Sequence, residues 1–100
     1  MMNQKAMMQQ IKKLQKEMLE TQQEIESTEF KTTCGPVTLT MLGDKSVTKV
    51  EIDKSYVIES NEDLELLEDS FVAASASLIK DINKYTEDRM GKYRQFLGGF

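Results

Sequence analysis

The fold is decided by the stretch Ser46-Val47-Thr48-Lys49-Val50-Glu51-Ile52-Asp53. Polar and apolar residues alternate along it, with Thr48, Val50 and Ile52 on one face and Val47, Lys49, Glu51 and Asp53 on the other. A period of two marks a strand with one buried face and one wet face. Just upstream, Val37, Leu39 and Met41 alternate with Thr38, Thr40 and Leu42. Between the runs lies Gly43-Asp44-Lys45, where Gly43 can take the positive φ of a tight reversal. Residues 36–53 therefore predict a β-hairpin. A lone hairpin is marginal in water, so its apolar face needs a cover. The candidates are the long helical patterns on either side.

Working outward, residues 27–33 add a short strand at the sheet edge, with Phe30 and Thr32 on one face and Lys31 and Thr33 on the other. Cys34-Gly35-Pro36 then punctuates the chain, and a proline that cannot donate to a ladder suits the start of the next strand. Lys49, facing nearby acids, predicts a cross-strand ion pair. Residues 3–26 predict a helix, in which Met7, Ile11, Leu14, Met18 and Ile25 form a heptad-like seam with Thr21 in one slot. After Asp53, Tyr56, Val57 and Ile58 are expected to pack under the sheet edge. Ser60 and Asp63 have the spacing of a capping box, which opens a second helix over about 61–90. Its main stripe is Leu64, Leu67, Phe71, Ala74, Leu78, Ile82 and Tyr85; Val72 and Ile79 flank it, which implies contacts on two sides. Gly91 is the expected stop, followed by a flexible tail over 91–100. The result is an α+β chain of order α-β-β-β-α, a three-stranded antiparallel sheet with two long helices, in one domain of 100 residues.

Composition removes several function classes. Histidine is absent, and Cys34 is the single cysteine, so no internal disulfide forms and a zinc cluster or a Cys–His nucleophile pair has no basis. No apolar run approaches membrane-spanning length, and the N-terminus has no apolar signal core. No phosphate loop appears, and the acids lie beside lysines on helical surfaces, where solvated pairing explains them. A cytoplasmic protein without catalytic activity, cofactor, membrane contact or small-molecule substrate is expected.

The net charge of −4 hides a segregation. The first half of helix one carries Lys5, Lys12, Lys13 and Lys16 and no acid, all on the side away from the seam; its second half carries Glu17, Glu20, Glu24 and Glu26. Helix two begins acidic, and Lys80, Lys84, Arg89, Lys92 and Arg94 gather towards its end. Favourable interaction with a helix C-terminus accounts for one or two such bases better than for five. Arg89 occupies the stripe direction of Leu78, Ile82 and Tyr85, which implies that the helix has left the core by that point. Helices of roughly 35 and 45 Å overhang a strand of about 20 Å. Their basic ends would project from the same side of the sheet.

The chain resembles the YbaB/EbfC family of bacterial nucleoid-associated proteins. The resemblance rests on Met7-Met8-Gln9-Gln10 through Leu14-Gln15-Lys16-Glu17-Met18, on Cys34-Gly35-Pro36-Val37, and on the more specific Val50-Glu51-Ile52-Asp53 and Leu66-Leu67-Glu68-Asp69 before Val72-Ala73-Ala74. It implies a tweezer-shaped homodimer, duplex DNA as partner, a place in the nucleoid and an influence on gene expression. It implies DNA contacts from the two helices, which here means Lys5, Lys12, Lys13, Lys16, Lys80, Lys84, Arg89, Lys92 and Arg94. The sequence departs from the family in its opening, which lacks a glycine-rich lead, in Lys54 where proline is frequent, and in a tail without prolines. A second function class is a coiled-coil-like protein–protein adaptor without nucleic-acid binding, suited to the heptad seam and the seven methionines.

Overall fold

The computed structural model describes residues 3–97. The elements run α1 (Gln4–Ser27), β1 (Glu29–Cys34), β2 (Val37–Leu42), β3 (Val47–Ile52) and α2 (Asn61–Leu97). The strands form one antiparallel sheet in the order β1-β2-β3, so β1 is an edge as the sequence predicts. In β2 the alternation holds: Val37, Leu39 and Met41 are buried and face α2. Against them pack Ala74, Leu78 and Ile82 of α2, with Phe30 and Cys34 of β1 at the border. Small Ser70 and Ala74 let α2 lie close to the sheet, and a side chain at Gly35 (φ +54°) would meet the Ser70 Oγ at 2.7 Å. Leu39 and Leu78 are almost wholly enclosed. Leu39→Ala is expected to cost about 2–5 kcal/mol, read as a lower midpoint in urea unfolding.

The hairpin differs from expectation at its turn. Gly43 does not take a positive φ; Lys45 does, at 69°. Asp44 holds the reversal by accepting hydrogen bonds from the Ser46 amide (2.9 Å) and hydroxyl, which keep its carboxyl below the usual carboxylate range. Gly43 is required for space instead: a Cβ there would lie 1.8 Å from the Ile25 carbonyl oxygen, while its amide donates to the Thr28 carbonyl at 3.0 Å. Gly43→Ala therefore forces the end of α1 off the turn, and a loss of about 3 kcal/mol is expected in the same urea assay.

The faces of β3 also differ. A bulge pairs Thr40 with Lys49 and Met41 with Val47, leaving Thr48 as the extra residue. Val47 therefore joins Val50 and Ile52 on the apolar face. That face is not buried: α2 packs on β1 and β2 but not on β3, and Val47, Val50 and Ile52 are 43–47% exposed. Lys49 pairs along its own strand with Glu51 (3.6 Å), and the cross-sheet partner of Glu51 is Lys31 (3.9 Å). Val57 and Ile58 are exposed rather than tucked under the sheet edge, although the Tyr56 hydroxyl donates to the Asp63 carbonyl at 2.6 Å.

The capping box forms as predicted. The Asp63 amide donates to Ser60 Oγ (3.3 Å), and Asp63 Oδ2 accepts from the amides of Ser60 (3.2 Å) and Glu59 (2.8 Å). From there α2 runs through Gly91 to Leu97 and does not stop near Met90. The physical reason is α1: Met90 and Tyr93 are buried in a second apolar cluster with Ile25, bordered by Met18 and Tyr85. Packing on both sides of Gly91 carries the helix across it. The part of the expected tail at 98–100 lies outside the described residues.

Candidate nucleic-acid interface

Asn3 caps α1 by accepting from the Ala6 amide at 2.8 Å, and helix-forming Gln, Lys and Met residues carry the helix onward. The seam is used only at its C-terminal end. Ile25 is buried and Met18 and Leu14 are partly buried, whereas Met7 and Ile11 are exposed. The first half of α1 thus stands clear of the body as a rod, and the molecule spans 73 × 18 × 13 Å. Lys5, Lys12, Lys13 and Lys16 are all exposed on it, and no described ion pair engages them.

The second half of α1 is tied to α2 by three layers of contact. Thr21 Oγ1 lies 3.2 Å from the Tyr93 hydroxyl, Ile25 packs with Met90, and Glu24 Oε2 accepts from Arg89 Nη2 at 2.8 Å. Rising numbers on α2 meet falling numbers on α1, so the helices are antiparallel here. The start of α1 and the end of α2 consequently point the same way.

The bases of α2 divide into three groups. Lys80 and Lys84 are exposed on the face of α2 opposite Ile82, which packs on the sheet, so they lie level with the sheet and not at the projecting end. Lys92 is exposed near the end of α2, its ammonium 5.0 Å from the centroid of the Tyr93 ring. Arg89 and Arg94 are half-buried and occupied within the chain. Arg94 Nη1 donates to Glu87 Oε1, an interaction that lowers the Glu87 pKa and raises that of Arg94. Arg89 donates to Glu24 and, through Nη1, to the Tyr85 hydroxyl at 2.7 Å; Glu24 is the main cause of its raised pKa. The helix has therefore left the sheet at Arg89 but has entered the company of α1.

Glu24, Tyr85, Thr21 and Tyr93 are the residues that sequence reasoning missed. Two signals pointed to them: a threonine in a slot of the α1 seam, and an arginine in the apolar direction of α2 with an acid-rich half-helix available to meet it.

The arrangement suits polyanion contact at one end. Lysines free of acids present ammonium groups to phosphate, while acids dominate the start of α2 at the other end. Among the described residues there is no group of His, Cys, Asp and Glu able to hold a metal ion, and no helix long and apolar enough to cross a membrane.

A nucleoid-associated protein of Enterococcus faecalis is 34% identical over 100 residues, covering 98% of this chain and 94% of that protein. One from Streptococcus pneumoniae is 38% identical over 95 residues, covering 93% and 94%. The crystal structure of the uncharacterized protein HP0035 from Helicobacter pylori shares the fold, with a TM-score of 0.69 at 17% identity over 88% of this chain and 92% of that one. The profile of the YbaB/EbfC DNA-binding family matches residues 1–97, and the chain belongs to that family.

Proposed function

We propose that the protein binds duplex DNA as a homodimer, through the basic ends of its helices, as a component of the cytoplasmic bacterial nucleoid. The observation that carries this reading is the first half of α1, a projecting rod with four exposed lysines and no acid. Family membership and the names of the relatives support DNA as the partner. Ammonium groups displace condensed counterions from phosphates, and no side-chain set on the rods matches a base-reading module. Affinity is therefore expected to be indifferent to base sequence within about tenfold, apart from effects of DNA shape. Electrophoretic shifts at low salt on unrelated duplexes of equal length test this; a preference of about a thousandfold for one duplex would require direct base readout.

The second copy is argued from uncovered apolar surface. Val47, Val50 and Ile52 of β3, the loop residues Val57 and Ile58, and Leu64, Phe71 and Val72 of α2 are all exposed in a single chain. The α2 stripe that packs Ala74 and Leu78 on the sheet continues through Phe71 and Leu64, beyond the reach of its own sheet. A second copy supplies what both surfaces lack. In a two-fold pair, the bare apolar face of β3 receives the start of the partner's α2, and the reciprocal contact forms at the same time. The acidic start of α2 would then lie in the hub, and the lysine rods would stand away from it.

The adaptor reading draws on one observation, the exposed Met7 and Ile11 on the unused part of the α1 seam. It predicts no DNA retardation at any salt, which the same electrophoretic experiment reads.

A further inference from the structure

We propose that Arg89 is a positioning residue rather than a phosphate ligand: with Glu24 and Tyr85 it forms a strut that sets the angle at which the basic rod of α1 leaves the body. This deepens the DNA-binding reading and rests on it. The strut is continuous from sheet to rod. Phe30 of β1 meets Tyr85 edge to face, with ring centroids 5.4 Å apart and planes at 74°. Tyr85 holds Arg89 twice, through its hydroxyl at 2.7 Å and through its ring, 5.5 Å from the guanidinium carbon. Arg89 then donates to Glu24 on α1 at 2.8 Å. A guanidinium engaged on an acceptor, an aromatic face and a carboxylate has a fixed plane, which a lysine at this place would not provide.

Leverage gives the strut its consequence. From Met18, which borders the cluster with α2, to Lys5 the helix rises roughly 20 Å. A swing of about 10° there moves the far lysine by roughly 3.5 Å, more than the roughly 2.8 Å length of a charge-assisted contact to phosphate. Loss of the strut therefore puts the rod out of register with the phosphates while leaving every lysine in place. Thr21–Tyr93 and the Ile25–Met90 contact hold the helices together, so the chain stays folded without the strut.

The sign of the Glu24 effect separates the two roles. In a simple electrostatic account, Glu24→Gln removes a negative charge, frees Arg89 and tightens DNA binding. The strut predicts the opposite. The experiment titrates a labelled duplex of random sequence over a range of salt with the full-length wild type and with Glu24→Gln, Arg89→Gln, the double variant and Lys16→Gln. Hydrogen exchange of the 18–25 amides is followed in parallel without DNA. Glu24→Gln and Arg89→Gln are each expected to weaken binding by about five- to tenfold with an unchanged salt slope. The double variant is expected to be no weaker than either single one, and the 18–25 amides to exchange several-fold faster in all three. Lys16→Gln is expected to lower the slope by about 0.9 for each phosphate that is no longer neutralised, and to leave exchange unaltered. Tighter binding by Glu24→Gln, or a slope lowered by Arg89→Gln, would overturn the proposal and make Arg89 a phosphate ligand. A wild type that leaves DNA free at every salt overturns the functional reading itself. That failure is told apart from failure of the strut because the exchange measurement needs no DNA.

Discussion

Val50→Glu, and separately Phe71→Glu, is expected to convert the protein from a dimer of about twice 11.5 kDa into a monomer and to weaken duplex binding by at least about a hundredfold. Both residues are exposed in the single chain, so neither carboxylate enters the core formed by Leu39, Met41, Ala74, Leu78 and Ile82. Both lie on the surface that a second copy would cover, where an unpaired buried charge is costly. Circular dichroism should keep the helical signal, and light scattering should read the halved mass. The fall is expected because, in the proposed dimer, two rods on one hub would engage the duplex together, and a single rod would forfeit the effective concentration of the second. Retention of the dimer by both variants would move the subunit interface elsewhere.

The second large effect belongs to the rod. Replacing Lys5, Lys12, Lys13 and Lys16 together with Gln removes four positive charges per chain without touching a buried residue or a described ion pair. Each phosphate contact contributes about 0.9 to the salt slope, so a dimer that uses several lysines on each rod loses several units of slope and at least about a hundredfold in affinity near 0.1 M salt. Helix content changes little, because Gln and Lys have similar helix propensity. Lys80→Gln with Lys84→Gln is expected to do less, since those residues lie level with the sheet and not at the projecting end. An unchanged slope in the fourfold variant, against a large change in the double one, would reverse that ordering.

Local chemistry made the element order legible in the sequence. Alternation in 37–42, the Ser60–Asp63 cap and the unbroken helix of α1 each need only neighbours in the chain, and each appears in the structure. The departures arise where a distant element decides. Gly43 reads as a conformational glycine, but its role is to admit the Ile25 carbonyl, a contact made by α1. The bulge at Thr48 turns Val47 to the other face because the register is set by β2. Gly91 reads as a stop, yet Tyr93 beyond it is buried against α1. At the candidate site, the segregation of the lysines could be read directly. The pairing of Arg89 with Glu24 could not, because 65 residues separate the two and only the antiparallel meeting of the helices joins them. The bare face of β3 was equally hidden: alternation shows that a strand has an apolar side, not whether another element of the same chain covers it.

The most direct test of the central claim is the salt dependence of duplex binding by the wild-type protein, followed by fluorescence anisotropy between about 50 and about 200 mM salt. Grip by projecting lysines on phosphates predicts a linear fall of log K with log salt, a slope of several units, and the same slope on duplexes of unrelated sequence. A slope near zero, or no binding at the lowest salt, would contradict it.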